Sequence, residues 1–384
     1  KTEVTSAGLD LINLGGGQLL TSVLTETVGN MTLGWEKSYN LNIGLDFGFF
    51  KNRVETSLEW YDTDTKGVLY KRDLPFSGGG FTAKTSYKMT DNIARMHNRG
   101  IELTLTTRNV DTKDFKWNSI LTFSKNKEQV KEINLGSGVT ADDLVSLNLF
   151  IDNPKNTAFG IKKLGIWQLG EEADAAVFGL LPGDVKVQSN LTKVRDGVWV
   201  DNTQETPVEY SADKPYTVST KDRIIIGQND PKWIGGFQNS FYWKNFDLNI
   251  FMTARWGQLV NASLLGYFGR EAMPDTYNYW TPENPTNDFP RYYLQRTTQY
   301  TSPTQSLTLV DGSYLKIKNI TLGYELPKNI SKKAGLSKLR LYGTLYNPFI
   351  FTKSHLLKDI DPEAGSSDSF PLYRQMVFGV NVSF

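Results

Sequence analysis

Two histidines are the first residues to test for chemistry, because the chain of 384 residues contains no cysteine. His97 lies in RMHNRG and His355 in FTKSHLLKD, far apart in the sequence. A serine hydrolase holds its histidine between a hydroxyl nucleophile and a carboxylate. Neither histidine stands in a recognisable motif of that kind, so both are expected to be residues of loops or strand rims. We predict no catalytic residue, and a barrel hydrolase that depends on His97 or His355 is an alternative.

Three other stretches match binding motifs only in part. Residues 62–65 read DTDT, like the start of a calcium loop, but the glycine and the distal glutamate of that loop are missing. Residues 14–18 and 77–81 contain glycine runs without the lysine of a phosphate-binding loop. The absence of cysteine excludes disulfides and thiolate metal sites. The sequence therefore predicts no metal site and no cofactor.

A third kind of candidate is a group of aromatic residues in GYFGREAMPDTYNYWTPENPTNDFPRYYLQR. They follow no alternating pattern and lie among prolines and asparagines, which is typical of a connection between strands. Exposed rings stack on sugars or peptide side chains, and they also pack a connection against itself or against a partner protein. The candidates for substrate binding or for docking a partner are Tyr267, Phe268, Tyr277, Tyr279, Trp280, Tyr292 and Tyr293.

The elements that must position these residues are strands. YNLNIGLDFGFF places apolar residues at every second position from Tyr39 to Phe49, and the same period-2 pattern recurs along the chain. Short hairpin turns are predicted at Lys51 and Asn52, at residues 111–114 and at Lys244 and Asn245. A change of phase predicts a β-bulge near Asn319. Long loop-like connections are expected at residues 129–155, 171–230 and 257–312.

Short turns that alternate with long connections, over about ten long strands, favour an all-β transmembrane barrel with short periplasmic turns and long extracellular loops. Aromatic residues at predicted strand ends resemble an interfacial girdle: Phe49, Phe50, Trp60, Tyr61, Trp243 and Trp256. The opposite strand face carries charged residues that suit a water-filled or plugged lumen: Asp46, Glu55, Glu59, Glu102, Asp247 and Arg255. A soluble, lectin-like β-sandwich is an alternative, but its strands are usually shorter.

Composition limits the partners. Lys and Arg total 42 and Asp and Glu total 41, so the charge balance gives no case for nucleic acid. Mean hydropathy is −0.38, and no stretch approaches the roughly 20 apolar residues of a membrane-spanning helix. The lipid bilayer is instead expected to meet the apolar strand faces.

The final strand, MVFGVNVSF, alternates in the same way and ends on an aromatic residue. Phe378, Val380, Val382 and Phe384 share its apolar face. We expect this strand to close the barrel against the barrel's first strand.

Several stretches resemble the SusC/RagA family of TonB-dependent outer-membrane transporters of Bacteroidetes. The most similar are GWEKSYNLNIGLDFGFFKNRVETSLEWYDTDTKGVL, NIARMHNRGIELTLTTRNV, FKWNSILTFSKNKEQVKEI, DRIIIGQNDPKWIGGFQNSFYWKNFDLNIFM, YWTPENPTNDFPR and DGSYLKIKNITLGYELPK. The family often has an acidic, calcium-like turn after a PGD such as residues 182–184. That acidic cluster is missing from residues 184–222, so no metal is expected there.

The resemblance implies that residues 1–384 are the C-terminal portion of a barrel of about twenty-two strands, without signal peptide, TonB-contacting segment or plug. It implies outer-membrane import of glycans or peptides driven by TonB, not catalysis. The implied partners are a SusD-like surface lipoprotein that acts as a lid, the TonB complex, and a plug and second barrel portion from the same or a companion polypeptide. The final aromatic residue resembles an assembly signal. A passive porin or an adhesive barrel is the alternative.

Overall fold

Alternating residues form long strands in the computed structural model of the chain, which describes residues 6–13, 19–25, 27–75, 77, 80–82, 85–136, 138–194, 196–262, 265, 277–292, 308–333, 335–358, 360–363 and 372–384. The described residues belong to two compact units. The first unit covers Lys1–Leu45, Leu58–Glu102 and Lys125–Lys155, and the second covers Asp46–Ser57, Leu103–Ser124 and Asn156–Phe384. Within the described residues, no helix has both the length and the apolar character needed to cross a membrane.

The elements are numbered in chain order. The first group is β1 (Ser6–Asn13), β2 (Leu19–Thr25), β3 (Thr27–Val28), β4 (Lys37–Phe49), β5 (Val54–Asp73), β6 (Gly80–Thr82), β7 (Thr85–Ser86), β8 (Lys88–Asp111) and β9 (Phe115–Ile133). The second group is α1 (Ala141–Leu147), β10 (Thr157–Gly160), β11 (Lys163–Ile166), α2 (Glu172–Val177), β12 (Val185–Val187), β13 (Leu191–Lys193), β14 (Trp199–Asp201), β15 (Val208–Tyr210) and β16 (Ile224–Gln228). The third group is β17 (Trp233–Trp243), β18 (Phe246–Trp256), β19 (Leu259–Asn261), β20 (Leu309–Asp311), β21 (Tyr314–Glu325), α3 (Lys328–Lys333), β22 (Lys338–Thr352) and β23 (Gln375–Ser383).

Nine long strands and the short β3 form one sheet of ten strands. The long strands follow the order β23-β22-β21-β18-β17-β9-β8-β5-β4, so strands that succeed one another along the chain are neighbours. The pairings from β9–β17 to β22–β23 are antiparallel. This sheet confirms the predicted all-β fold with about ten strands joined in sequence.

The predicted turns are confirmed at two hairpins and corrected at a third. Lys244 and Asn245 join β17 to β18, where Trp243 is opposite Phe246. Thr112 closes the β8–β9 turn by donating its backbone N–H to the Phe115 carbonyl at 2.9 Å. The β4–β5 connection covers residues 50–53 and is therefore two residues longer than predicted. Residues 50–52 all have positive φ.

The β21–β22 connection, residues 326–337, is also not a tight turn, since it contains α3. The predicted bulge near Asn319 is confirmed, because the register of β21 against β22 shifts between Ile317 and Asn319.

The connections predicted as loops contain regular structure. β9 extends to Ile133, and α1 follows, with a capping box in which Thr140 and Asp143 satisfy each other's backbone N–H groups. Residues 171–230 contain α2 and five short strands, β12–β16. Residues 257–312 contain β19 and β20, which pair with each other. These elements form because the connections have apolar clusters of their own, which periodicity along a single segment does not reveal.

The register places apolar residues of successive strands in rows on one face of the sheet. Phe246 of β18 is opposite Tyr324 of β21, Tyr324 is opposite Leu341 of β22, and Leu341 is opposite Val380 of β23. Phe246, Leu341 and Val380 are exposed although they are apolar. Such a row is typical of the lipid-facing surface of a membrane barrel.

The aromatic residues predicted at strand ends are confirmed in part. Trp243 ends β17 and Trp256 ends β18. Trp60 and Tyr61 instead lie inside β5, because that strand continues to Asp73.

The opposite face is polar and ionic, as predicted. Asp247 accepts two hydrogen bonds from Arg340, from Nε to Oδ1 at 2.8 Å and from Nη2 to Oδ2 at 2.5 Å. Gly323 lies beneath this ion pair, where a Cβ would overlap the guanidinium group. Two further glycines lie beneath tyrosines: Tyr342 covers Gly379, its direct partner on β23, and Tyr61 covers Gly100. We call these two contacts ring-over-glycine joints.

Candidate functional site

The aromatic candidates of the sequence fall in and around residues 277–292. Tyr267, Phe268 and Tyr293 lie outside the described residues. The described segment folds back on itself, since Trp280 donates its backbone N–H to the Phe289 carbonyl at 3.0 Å. Thr281 and Asn284 close the tip of the segment through reciprocal backbone hydrogen bonds. The structure thus places Tyr277, Tyr279, Trp280 and Tyr292 in one compact connection.

Trp280 is part of a hydrophobic core rather than of an open surface. Only 5% of the residue is exposed, and its Nε1 donates to Gln168 Oε1 at 2.9 Å. The core that contains it joins residues from distant parts of the chain: Ile166, Val185, Ala262, Leu265, Phe289, Val310 and Leu357. Because its indole is enclosed by these residues, Trp280 organises the connections and presents little surface to a ligand.

The three tyrosines differ in accessibility. Tyr277 stacks on Phe289 with ring centroids 4.5 Å apart and an interplanar angle of 12°, and burial raises the pKa of Tyr277. Tyr279 packs partly buried against the same core. Tyr292 is 38% exposed. Tyr292 is therefore the described candidate with the most surface available for contact, while Tyr277 and Tyr279 are each only partly accessible.

An ion pair that was not predicted from the sequence attaches the end of the segment 277–292 to the PGD sequence. Asp184 of the PGD sequence is buried, and Arg291 donates Nε to Asp184 Oδ1 at 2.9 Å. Gly183 has φ +90° and its carbonyl accepts the Arg291 backbone N–H at 2.8 Å, so the turn needs glycine at this position. The resemblance drew attention to PGD and to YWTPENPTNDFPR separately, but nothing in the sequence indicated that they meet.

A second ionic cluster attaches the connection after β22 to the polar face of β21. Lys316 is 1% exposed and donates Nζ to Asp361 Oδ2 at 2.5 Å and to Glu363 Oε2 at 3.0 Å. Lys318 also binds Glu363. Burial opposes ionisation of Glu363, but the hydrogen bonds from Lys318 and Lys316 hold its pKa below the ordinary value. Sequence reasoning missed this cluster, although lysines at alternate positions of a strand are a recognisable sign of a polar face.

Both histidines bind a carboxylate. His97 Nε2 lies 2.8 Å from Asp62 Oδ1, and His355 Nε2 lies 2.8 Å from Asp288 Oδ1. In the described part of the chain no hydroxyl group hydrogen-bonds to either imidazole, so neither pair has the geometry of a hydrolase triad. Over the same residues, no group of three or more acidic or histidine side chains is arranged to hold a metal ion.

Asp288 brings together several polar groups beside the aromatic segment. Its second carboxylate oxygen accepts from Asn278 Nδ2 at 2.7 Å, and its backbone carbonyl accepts from Lys163 Nζ at 2.5 Å. Burial lowers the pKa of Lys163 to about 8, against the opposing effect of the Asp288 carboxylate. The arrangement holds the connections in place through hydrogen bonds.

The last strand has the predicted apolar face. Phe378, Val380 and Val382 of β23 are opposite Gly343, Leu341 and Leu339 of β22, and all three β23 residues are exposed. Phe384 follows the end of the strand and is 94% exposed. Their role as an assembly signal stays a prediction.

Comparison with known families agrees with this arrangement. Residues 12–348 match the family model described as "TonB dependent receptor-like, beta-barrel". The chain belongs to this TonB-dependent receptor family. The predicted SusC/RagA resemblance is confirmed by relatives: the chain is 30% identical to TonB-dependent receptor P3 of Formosa agariphila, over 96% of this chain and 36% of that protein. It is 25% identical to TonB-dependent receptor SusC of Bacteroides thetaiotaomicron, over 92% of this chain and 32% of that protein.

Solved structures support the fold. The structure of the RagAB peptide transporter is similar to this TonB-dependent receptor chain with a TM-score of 0.70 and 22% identity, over 99% of this chain and 39% of that one. The chain thus spans about a third of the length of the curated relatives named above. The family resides in the outer membrane, so the apolar strand face meets lipid, and its named relatives are receptors rather than enzymes.

Proposed function

We propose that this TonB-dependent receptor chain forms part of the wall of an importer that takes up oligomeric nutrients across the outer membrane with energy supplied through TonB. The observation that carries the proposal is the family match over residues 12–348, made on a sheet with one apolar face and one ion-paired face. The apolar face suits lipid, and the ionic face suits a wet passage or a plug.

A plug and a further barrel portion, from the same or a companion polypeptide, would complete the wall. In the described residues the sheet ends at β4 on one side and at β23 on the other. An unpaired strand edge is not stable in hydrocarbon, because its backbone N–H and C=O groups have no partners there. The share of the relatives' length that this chain covers, 36% and 32%, leaves room for both elements.

The substrate class would be peptides or glycans, delivered under a SusD-like surface lipoprotein. Similarity to the RagAB peptide transporter supports peptides, and the resemblance to the SusC/RagA family supports glycans and the lipoprotein partner. The aromatic segment fits a docking role, since Trp280 and the Asp184–Arg291 pair fix its fold while Tyr292 keeps exposed surface. Tyr277 and Tyr279 would add part of their surface to the same proposed contact region, and Tyr267, Phe268 and Tyr293 stay candidates for it from the sequence.

An uptake experiment tests the proposal. Cells with and without the gene that encodes the chain are given fluorescent oligopeptides and fluorescent oligosaccharides, before and after inactivation of TonB. We expect gene-dependent uptake of one class that stops when TonB is inactivated. Uptake that persists without TonB would show a passive porin, and the absence of any gene-dependent uptake would refute import.

Docking is tested separately. Replacing Tyr292 by Ala should weaken co-purification of a surface lipoprotein or binding of the imported oligomer, with Tyr373→Ala as a control at another exposed tyrosine. Equal behaviour of the two variants would remove Tyr292 from the contact region.

A further inference from the structure

In the first unit, one face of β5 changes abruptly from apolar to charged. Leu58 and Trp60 are exposed apolar residues on this face, and Asp62 and Asp64 follow them on the same side, because alternate residues of a strand share a face. Trp60 therefore lies at the boundary between lipid-like and water-like surroundings. Indole side chains favour that boundary in membrane proteins.

The same change occurs on the neighbouring strand β8. Ile101 is an exposed apolar residue, and His97 and Arg95 lie further along the same face. The faces of the two strands correspond, since His97 bonds Asp62 at 2.8 Å and Arg95 bonds Asp64 at 2.8 and 2.9 Å. The charged residues of β5 and β8 lie toward the end of these strands that residues 74–87 connect. Long connections are extracellular in this type of barrel, so the boundary belongs to the outer leaflet.

A ring-over-glycine joint connects the three strands β5, β8 and β9 at this boundary. Tyr61 crosses Gly100 of β8 and donates its hydroxyl to Asn126 Oδ1 of β9 at 3.0 Å. A Cβ at Gly100 would come within 2.7 Å of the Lys125 carbonyl, which confirms that β8 and β9 are adjacent here. Tyr61, Gly100 and Asn126 are therefore close to one another on the polar face.

The residues that precede and follow Tyr61, Gly100 and Asn126 in the sequence lie on the opposite face of the same strands. These are Trp60 on β5, Arg99 and Ile101 on β8, and Lys125 and Lys127 on β9. Alternation thus places three cationic residues on the same face of the neighbouring strands β8 and β9, where the apolar surface ends. All three are exposed.

These three cations have no carboxylate bound to them. The carboxylates of this surface already have partners: Asp62 binds His97, Asp64 binds Arg95, and Asp152 binds Lys131 at 2.6 Å. Among the described residues, no ion pair joins a carboxylate to Arg99, Lys125 or Lys127, although the charge of Lys127 helps to lower the pKa of Asp152, which is paired with Lys131. A group of three such cations next to lipid has a strong preference for an anion at the headgroup level.

We propose that Arg99, Lys125 and Lys127 bind the phosphate of a phosphorylated glycolipid of the outer leaflet, whose acyl chains lie along Leu58, Trp60 and Ile101. Arg99 supplies a planar donor fork that suits phosphate oxygens, and the two lysines add compact positive charge. The proposal rests on the outer-membrane location and not on import, because no step of uptake involves these residues.

The experiment uses the assembled barrel that contains this chain, extracted in mild detergent after reconstitution with phosphorylated lipopolysaccharide. Native mass spectrometry measures the lipopolysaccharide retained by each barrel. The test variant combines Arg99→Gln, Lys125→Gln and Lys127→Gln. The matched control combines Lys51→Gln, Lys113→Gln and Lys244→Gln, which removes the same charge at the short turns. A single Arg99→Gln variant provides a milder change if the triple variant assembles poorly.

We expect the triple variant to bind phosphorylated lipopolysaccharide on the order of 100-fold more weakly, and the single variant about fivefold more weakly, while the control is unchanged. Dephosphorylated lipopolysaccharide should bind the unaltered barrel as weakly as the phosphorylated form binds the triple variant. Retention within twofold of the unaltered barrel in both variants would overturn the proposal. So would an equal loss in the control, or complete displacement of the glycolipid by inorganic phosphate, which would indicate a site for the free ion.

Discussion

Replacing Lys316 by Ala should release the connection that follows β22. Lys316 is almost fully buried and is the shared partner of Asp361 and Glu363. The substitution leaves two carboxylates that are only 16% and 23% exposed without the cation that neutralises them. Both carboxylates would move to water, and the segment that carries them would detach with them.

The size of the effect follows from burial. Removing one partner of a buried ion pair costs about 3–5 kcal/mol, because the remaining charge is desolvated. The partial exposure of Asp361 and Glu363 favours the lower limit, and Lys318 still neutralises part of Glu363. We therefore expect about 3 kcal/mol, which raises the population of the open segment roughly 100-fold.

Hydrogen exchange measured by mass spectrometry on peptides that cover residues 353–363 tests this value, because exchange follows local opening. Lys353→Ala is the matched control: this lysine lies in the same connection, binds Asp311 at 2.6 Å and is half exposed. An exposed pair contributes roughly 0.2–1 kcal/mol, so the control should change exchange by less than about fivefold. Exchange that rises equally in both variants, or in neither, would refute the argument from burial.

Three other changes have defined outcomes. Lowering the pH should also open residues 353–363, because the pKa of Glu363 is held below its ordinary value of 4.5. The stabilisation that ionised Glu363 provides is present above pH 4.5 and is lost as the pH falls through the lowered pKa. Hydrogen exchange of this segment, corrected for intrinsic rates, should rise only in that lower pH range. Gly379→Ala should lower the free energy of unfolding by about 1–3 kcal/mol, because the new methyl group displaces Tyr342. In gel electrophoresis the folded band of this variant should disappear at a lower temperature. Gly44→Ala is the control, since its methyl group would make only ordinary contact with Glu59 and should not change that temperature. Trp280→Ala should cost about 3–5 kcal/mol in the core and make residues 277–292 sensitive to protease, while Tyr292→Ala should leave them resistant.

The strands and their faces could be predicted from the sequence because they depend on local alternation. The pattern from Tyr39 to Phe49 forms β4, and the phase change near Asn319 marks a real shift in register. The turn after β4 was located correctly at Lys51 and Asn52, but its four-residue length was not predicted, since Phe50 has positive φ, a conformation that bulky residues seldom adopt.

The site was predicted less completely, since its structure depends on contacts between distant segments. Ile166, Trp280 and Leu357 meet in one core, although each is separated from the next by many residues. Asp184 and Arg291 pair across a similar separation. A single sequence contains no periodic signal for such contacts. The aromatic composition of the segment correctly indicated a connection, but not that Trp280 would be enclosed while Tyr292 stayed accessible.

The ring-over-glycine joints have a consequence for how the wall assembles. A strand that enters the sheet two residues out of step keeps its apolar face toward lipid, so hydrophobicity alone does not reject the error. With β23 displaced in that way, Tyr342 would meet Val377 or Asn381 instead of Gly379, and the ring would collide with a side chain. Glycine at position 379 thus favours the observed register of β22 and β23 over registers shifted by two residues.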